Sequence, residues 1–513
     1  MNRYLKIIFL VVASFSVALT LLGESGERTE PVVRNTRLVS RVLRESEKLQ
    51  YLGVQSCAAA NCHGGRIDQS KAQTKFKGAE YSRWILDDPH AHAMSTLYNK
   101  ESRHIYSQLR KSPSYKNLLP PHQAPLCLNC HSSPTSASGN LATLYETRTA
   151  ENKTESESLT LFRDGIGCEA CHGPAEKWLE PHKRPDWVLT DEQKLNHETV
   201  LADANKKSEL GFQNTKDVFT RARMCAQCHV GAPGREVNHD LIAAGHPRLT
   251  FEFSDYLARM PHHWNRSNDH DREFLVWASG QLAATDASLE VLERRAGEYQ
   301  IWPELAELDC FSCHHDLQAS GWRGDSASPG HAPGQMRWGA WNSTMLPLLA
   351  DFARDPEKNP LLNSFDSLKS MMERPLPPAR QVADAARTLR EEYLSRWEVN
   401  LKEIARKPDV ATRLLKRICN TEGPQFVDRG WDSASQVYLA LKALVKDDRQ
   451  LPMQPSQDKT ESYRKVDDAL ESFRLLLEYP AQFDSPKQKK QPESRTEKMR
   501  ELLKMISLEF SKP

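Results

Sequence analysis

Ten of the 11 cysteines fall into close pairs, and a histidine follows each pair at once. The sets are Cys57, Cys62 and His63; Cys127, Cys130 and His131; Cys168, Cys171 and His172; Cys225, Cys228 and His229; and Cys310, Cys313 and His314. With 18 histidines in 513 residues, five such coincidences do not arise by chance. Disulfides, the ordinary fate of paired cysteines in an exported chain, leave the following histidine unexplained, and so does a zinc ribbon. Covalent heme attachment explains it. Two thiols form thioethers with the two vinyl groups on one porphyrin edge, and the next residue turns its imidazole under the iron. Four of the motifs have the two-residue spacer of c-type heme attachment. The Cys57 motif has four residues between its cysteines, a longer loop that still bridges the vinyls. Five covalent hemes c are therefore expected. Cys419 has neither a partner nor a following histidine and reads as a small buried hydrophobe, with an intermolecular disulfide as the alternative.

Each iron needs a sixth ligand if it only carries electrons, and an open position if it acts on a small molecule. The spare histidines suffice for six-coordination everywhere. Those in the best context are His90, which follows Asp88-Pro89 and has small neighbours, His182, which follows the Cys171 motif, and His239 and His246, which flank a stretch with few bulky polar side chains. Met94 is an alternative sixth ligand that would raise a potential. His122, His262, His263 and His331 have weaker context, and His315 sits too close to His314 to reach the far face of the same heme. No residue is assigned a catalytic role.

The elements that position these residues are helical. Trp84, Ile85, Leu97 and Ile105 recur at helical intervals within 80–110, as do Phe274, Val276, Leu282, Leu289 and Leu292 within 271–297. After residue 340 the motifs stop, and amphipathic patterns predict helices near 377–405, 408–419, 430–447, 460–478 and 495–510. Segments 132–160 and 319–335 read as loops and 480–498 as a linker. Alternating strand patterns are nearly absent. The expected fold is mainly α, with a heme-cored N-terminal region and a helical C-terminal region. The expected organisation is a signal peptide or anchor at 1–25, a linker at 26–50, a pentaheme domain at 51–335, a helical domain at 336–480, and a mobile linker with a terminal helix at 481–513.

Two positive charges in residues 2–6 precede an apolar run from Ile7 to Leu22, the layout of a secretory signal. The run is about one turn short of a membrane span. Gly23-Glu-Ser25 is the nearest approach to a cleavage site, so cleavage and retention as an N-terminal membrane anchor both stay open. Either outcome places the bulk of the chain outside the cytoplasm, in the periplasm. Lys and Arg number 69 against 68 Asp and Glu, with no basic run interleaved with aromatics, which argues against nucleic acid. Heme propionates would make the loaded protein acidic, and a basic partner surface would suit it.

The stretches Ser56-Cys-Ala-Ala-Ala-Asn-Cys-His-Gly-Gly65, Asp88-Pro-His-Ala-His-Ala-Met94, Gly167-Cys-Glu-Ala-Cys-His-Gly-Pro174 and Asn238-His-Asp-Leu-Ile-Ala-Ala-Gly-His-Pro247 resemble the multiheme cytochromes related to cytochrome c-554. The resemblance spans about residues 50–320. It implies a largely helical fold, closely stacked and mostly bis-histidine hemes, and periplasmic electron transfer, typically in nitrogen metabolism. It favours His90, His182 and His246 as distal ligands. The fifth motif and the long C-terminal region depart from the tetraheme member. The pentaheme ammonia-forming nitrite reductases are similar in length and heme count, but their usual Cys-x-x-Cys-Lys is absent here.

Three functions compete. An electron carrier, the favoured reading, would pass charge between a membrane quinol-linked donor or redox protein partners and a periplasmic acceptor. An oxidoreductase would act on nitrite, hydroxylamine or nitric oxide at one five-coordinate heme. A non-redox exported protein would use its cysteines for disulfides or zinc.

Overall fold

The structure, a computed structural model, describes residues 49–67, 78–133, 164–194, 196–264, 271–298, 301–314, 336–352, 358–450, 460–478 and 492–511. The expected export segment 1–25, the loop 319–335, His315, His331 and most of segments 26–50, 132–160 and 480–498 lie outside the described residues. Among the described residues no strand forms. Only isolated bridges join Ala232 with Arg235 and Leu308 with Trp338.

The expected helical stretch 80–110 consists of three pieces: α1 (Glu80–Asp87), a 3-10 segment Pro89–Tyr98, and α2 (Lys100–Leu109). The first break has a local cause. Pro89 disfavours helical backbone at the residue before it, and Asp88 is accordingly extended, its carboxylate accepting the His90 backbone N–H at 3.0 Å. At the second, Asn99 accepts from the Ser102 N–H and starts a new helix. Short helices then carry the motifs. Cys127, Cys130 and His131 lie on α3 (Pro125–His131), and Cys168, Cys171 and His172 on α4 (Cys168–His172). After α5 (His197–Glu209), the fourth motif forms the end of α6 (Val218–His229). Helical spacing puts residues i and i+3 on one side, so both thiols of each of these three motifs face the same way. Next come α7 (His239–Ala243) and α8 (Phe253–Arg259).

The body of the molecule is built on α9 (Glu273–Glu298). Phe274, Trp277, Ala278, Leu289 and Leu292 are all buried, so the helix is covered on every side, as a helix hydrophobic all round must be. Its cover includes α6, α8, α10 (Leu346–Phe352), α12 (Ala379–Thr388), α13 (Trp397–Ala405) and α16 (Trp431–Gln450). Between α10 and α12 lies α11 (Lys358–Met372), with Leu361, Phe365, Leu368 and Met372 buried at helical spacing. The sequence reading missed α10 and α11.

Expected helix 377–405 is broken between α12 and α13 by a π turn at Leu389–Tyr393 and a 3-10 turn at Leu394–Arg396. Expected helix 408–419 is α14 (Val410–Arg417), which passes through a π turn, Ile418–Glu422, into α15 (Gly423–Asp428). Pro424 has no N–H to bond a carbonyl one turn back, which accounts for the loosened turn. Then come α17 (Thr460–Leu477) and α18 (Pro492–Glu509).

The expected domain boundary at 335/336 does not coincide with a break in this core. One cluster of buried apolar side chains runs from Val218 and Phe219 on α6 through Trp277 on α9 to Leu503 and Ile506 on α18. The reason is α9 itself, whose apolar circumference needs helices from both sides of residue 335. Arg272 clamps its start, donating to the Asp447 carboxylate and to the carbonyls of Ala405, Lys407 and Pro408.

Candidate heme centres

An iron held between two imidazoles, each bonded at about 2 Å, keeps the two ring centroids about 6 Å apart. Three motif histidines face a second histidine ring at such a distance. His63 and His182 are 6.2 Å apart with their planes 17° from parallel, His229 and His90 are 6.0 Å apart and perpendicular, and His314 and His239 are 6.4 Å apart at 24°.

The hydrogen bonds of the rings leave the right nitrogen free. His182 donates its Nδ1–H to the Leu179 carbonyl at 2.5 Å, His246 to the Pro247 carbonyl at 2.8 Å, and His131 to the Ala93 carbonyl at 3.1 Å. A carbonyl only accepts, so Nδ1 carries the proton and Nε2 keeps its lone pair for a metal. His63 Nδ1 lies 2.9 Å from Glu80 Oε2, and His90 Nδ1 lies 2.9 Å from Asp88 Oδ1. Burial raises the Asp88 carboxyl, but the bonds from the His90 ring and backbone outweigh it and hold the group below the ordinary carboxylate range.

Two motif histidines, His131 and His172, remain. Burial lowers the His131 imidazole below its usual range, and the nearby His246 charge pushes the same way, which places these two rings within electrostatic reach of each other. Burial drives His172 down to about 4, aided by His263 and His63. His263 is half-buried, and its Nδ1 is a buried polar atom without a hydrogen-bond partner, an expensive state unless another group satisfies the ring. It becomes a candidate ligand at the Cys168 site. The doublet His262-His263 had offered nothing in sequence beyond its residue type.

The motifs also meet one another. The Cys57 thiol lies near that of Cys168 and the Cys130 thiol near that of Cys228, close enough for each to shift its neighbour's ionisation. Glu169, between the cysteines of the third motif, arranges the first couple, accepting from the backbone N–H groups of Leu52 at 2.9 Å, Gly53 at 2.7 Å and Ala175 at 2.7 Å. Trp84 on α1 donates to the Ile166 carbonyl at 3.1 Å and joins the same assembly. Gly165 has φ +62°, and a Cβ there would lie 2.6 Å from the His90 carbonyl oxygen. Only glycine lets that chain pass beside the candidate ligand. In the second couple, Asn129 donates to the Gly234 carbonyl at 2.7 Å.

The fifth centre is held by charge. Buried Arg295, near the end of α9, donates to Glu236 at 3.1 Å and Glu307 at 2.7 Å, and so ties the chain before His239 to the chain before Cys310. Glu304 accepts from the His239 backbone N–H at 2.9 Å.

Burial pushes the Cys127 thiol up to about 11 and those of Cys171 and Cys225 to about 12. The residues fit heme: thiols to bond a porphyrin edge, and imidazoles at the right separation to hold an iron. Met94 packs with Leu97 and Leu128 in an apolar cluster, and Cys419 is buried with its thiol pushed up to about 12, as a small core side chain would be.

Among the described residues no helix is long and apolar enough to cross a membrane. No curated protein and no solved structure matches the chain. A family model described as cytochrome c554 and c-prime matches residues 56–173, a stretch that holds the first three motifs, His90 and α1 to α4. Over that stretch the chain is similar to the cytochrome c554-related family, a likeness that suggests a heme protein of the cytochrome c class.

Proposed function

We propose that this protein is a periplasmic electron carrier with five covalently bound hemes c, each held between two histidines. The axial pairs are His63 with His182, His131 with His246, His172 with His263, His229 with His90, and His314 with His239. Cys57, Cys62, Cys127, Cys130, Cys168, Cys171, Cys225, Cys228, Cys310 and Cys313 supply the thioethers. The observation that carries this reading is the set of three facing histidine pairs at 6.0–6.4 Å, each joining a motif histidine to one outside the motifs. Bound heme supplies a reversible one-electron couple. The chain's own residues do the rest: backbone carbonyls and carboxylates fix the ring tautomers, and second histidines fill the positions a substrate would need. The cationic, apolar segment Arg3–Leu22 supports export, by cleavage or by anchoring. A membrane quinol-linked donor or soluble redox proteins are the partners that suit such a carrier.

A second reading has one observation in its favour. The ring that stacks near His172, at 6.3 Å and 19°, is Phe212 rather than a histidine. If His263 does not ligate, the Cys168 heme is five-coordinate and open to a small nitrogen compound.

Heme staining after denaturing electrophoresis, with intact mass, counts the covalent hemes, and electron paramagnetic resonance reports the spin state of each. Five hemes, all low-spin, are expected. A high-spin ferrous fraction that binds carbon monoxide would replace the carrier with the oxidoreductase, and a chain without covalent heme would overturn both.

A further inference from the structure

The rings that face the candidate irons are not held alike. His131, His182 and His246 donate Nδ1–H to neutral backbone carbonyls. His63 and His90 instead meet carboxylates, those of Glu80 and Asp88, each at 2.9 Å. Both carboxylates are fixed from a second side. Glu80 also accepts from the Gly78 N–H at 2.9 Å, and Asp88 from the His90 backbone N–H at 3.0 Å. Asp88 is only 2% exposed, so little water screens its charge.

The two sites sit in different couples. The His63 site adjoins the third motif, whose Glu169 accepts from the Leu52 and Gly53 N–H groups just before Cys57, and the His90–His229 site adjoins the second motif, whose His131 ring donates to the Ala93 carbonyl three residues after His90. Each couple therefore combines one carboxylate-backed centre with one for which no carboxylate bond to a ring nitrogen is seen among the described residues.

A carboxylate that accepts the imidazole N–H raises the electron density of the ring, strengthens it as a ligand and favours the ferric over the ferrous state. A neutral carbonyl does so less. We infer that Glu80 and Asp88 make the Cys57/Cys62 and Cys225/Cys228 centres the lower-potential member of each couple. An electron delivered to either centre then has a downhill step to its neighbour, one iron being oxidised as the other is reduced. This rests on the bis-histidine reading of the sites. Glu80 and Asp88 act through the histidines and are positioning residues.

The test uses the full heme-loaded protein with Glu80→Gln and Asp88→Asn, which keep an acceptor for the ring N–H but remove the charge. Asn is also as good a helix-start residue as Asp, so the turn at Pro89 is preserved. Potentiometric titration followed optically, with electron paramagnetic resonance of each variant, resolves the individual centres. Each substitution is expected to raise the potential of one low-spin heme, a different heme for each, with the two shifts adding in the double variant. Glu80→Asp, which restores charge, is expected to recover part of the shift. Glu80 is 27% exposed against 2% for Asp88, so its variant reads the effect even where Asp88→Asn weakens its segment. Unshifted potentials in variants that keep five low-spin hemes would overturn this inference and leave the carrier function intact. Fewer than five covalent hemes, or a high-spin centre at either site in the unsubstituted protein, would instead show that the underlying reading had failed.

Discussion

Residues 218–511 and residues 49–217 stabilise themselves in different ways. The first stretch buries a continuous apolar core around α9, with Trp277, Trp397, Phe473 and Leu349 among its enclosed side chains. Among the described residues, the second buries apolar side chains only in small groups, such as Val54 with Trp84 and Ala91, or Met94 with Leu97 and Leu128. What it encloses instead are thiols, imidazoles and carboxylates. Groups of three side chains cannot offset the entropy of ordering more than a hundred residues. The N-terminal stretch is a wrapping that needs an apolar filler, and covalently attached porphyrins are fillers of the right kind. The C-terminal helices need none. The fourth and fifth centres stand between the two, because α6 packs on α9 and Arg295 ties the fifth centre to the end of the same helix.

Making the protein without heme attachment should break the contrast open most widely. Hydrogen exchange by mass spectrometry is expected to show residues 80–131 and 164–194 losing protection while 273–298 and 431–450 keep theirs. Equal protection in both stretches would dissolve the distinction.

The next effect lies inside the helical body. Trp397 is fully buried, and Trp397→Ala should cost about 3–5 kcal/mol in denaturant unfolding. Heme coordination, read from the visible spectrum, should stay unchanged until the body unfolds.

Arg295→Met tests the seam between the regions. It leaves Glu236 and Glu307 buried without their counter-charge, at a cost of about 3–5 kcal/mol when one partner of a buried pair is removed. Because that pair aligns His239 with His314, one heme should also change its spin state. A stability loss with all five spectra intact would make Arg295 a purely structural clamp.

The smallest effect is a pH dependence of the body. Glu252 is buried at the start of α8, and burial raises its carboxyl to about 7 despite bonds from Ser254 and Asp255 that favour the charged form. The folded state thus holds a proton that the unfolded chain releases at lower pH. Its contribution is complete below about pH 4.5 and is lost as pH rises through about 7, a change on the order of 1–3 kcal/mol. Glu252→Gln should flatten that slope in the melting temperature measured against pH.

The thiol and imidazole sets were legible because attachment chemistry is local, and the helical body because apolar side chains recur at 3.6-residue spacing over long stretches. Helices α10 and α11 were missed although Leu361, Phe365, Leu368 and Met372 carry the same periodicity; Pro360 and the charges around it masked the start. The breaks within 80–110 were readable in principle from Asp88-Pro89 and Asn99. The boundary at 335 was drawn where the motifs end, but motifs mark chemistry, and the core follows the apolar circumference of α9. His263 has weak context in the sequence, and only the fold shows its buried Nδ1 and its place near His172.

Residue type and spacing alone carry the expectation of heme attachment at the Cys-Cys-His sets, since every atom that chemistry needs lies within a few residues. They also named four spare histidines worth watching. Tertiary structure decided the rest. Which motif His90, His182, His239 or His246 faces, which thiols become neighbours, and which rings rest on a carboxylate all depend on segments far apart in the chain. Those relations exist only once Glu169, Gly165 and Arg295 have drawn the segments together.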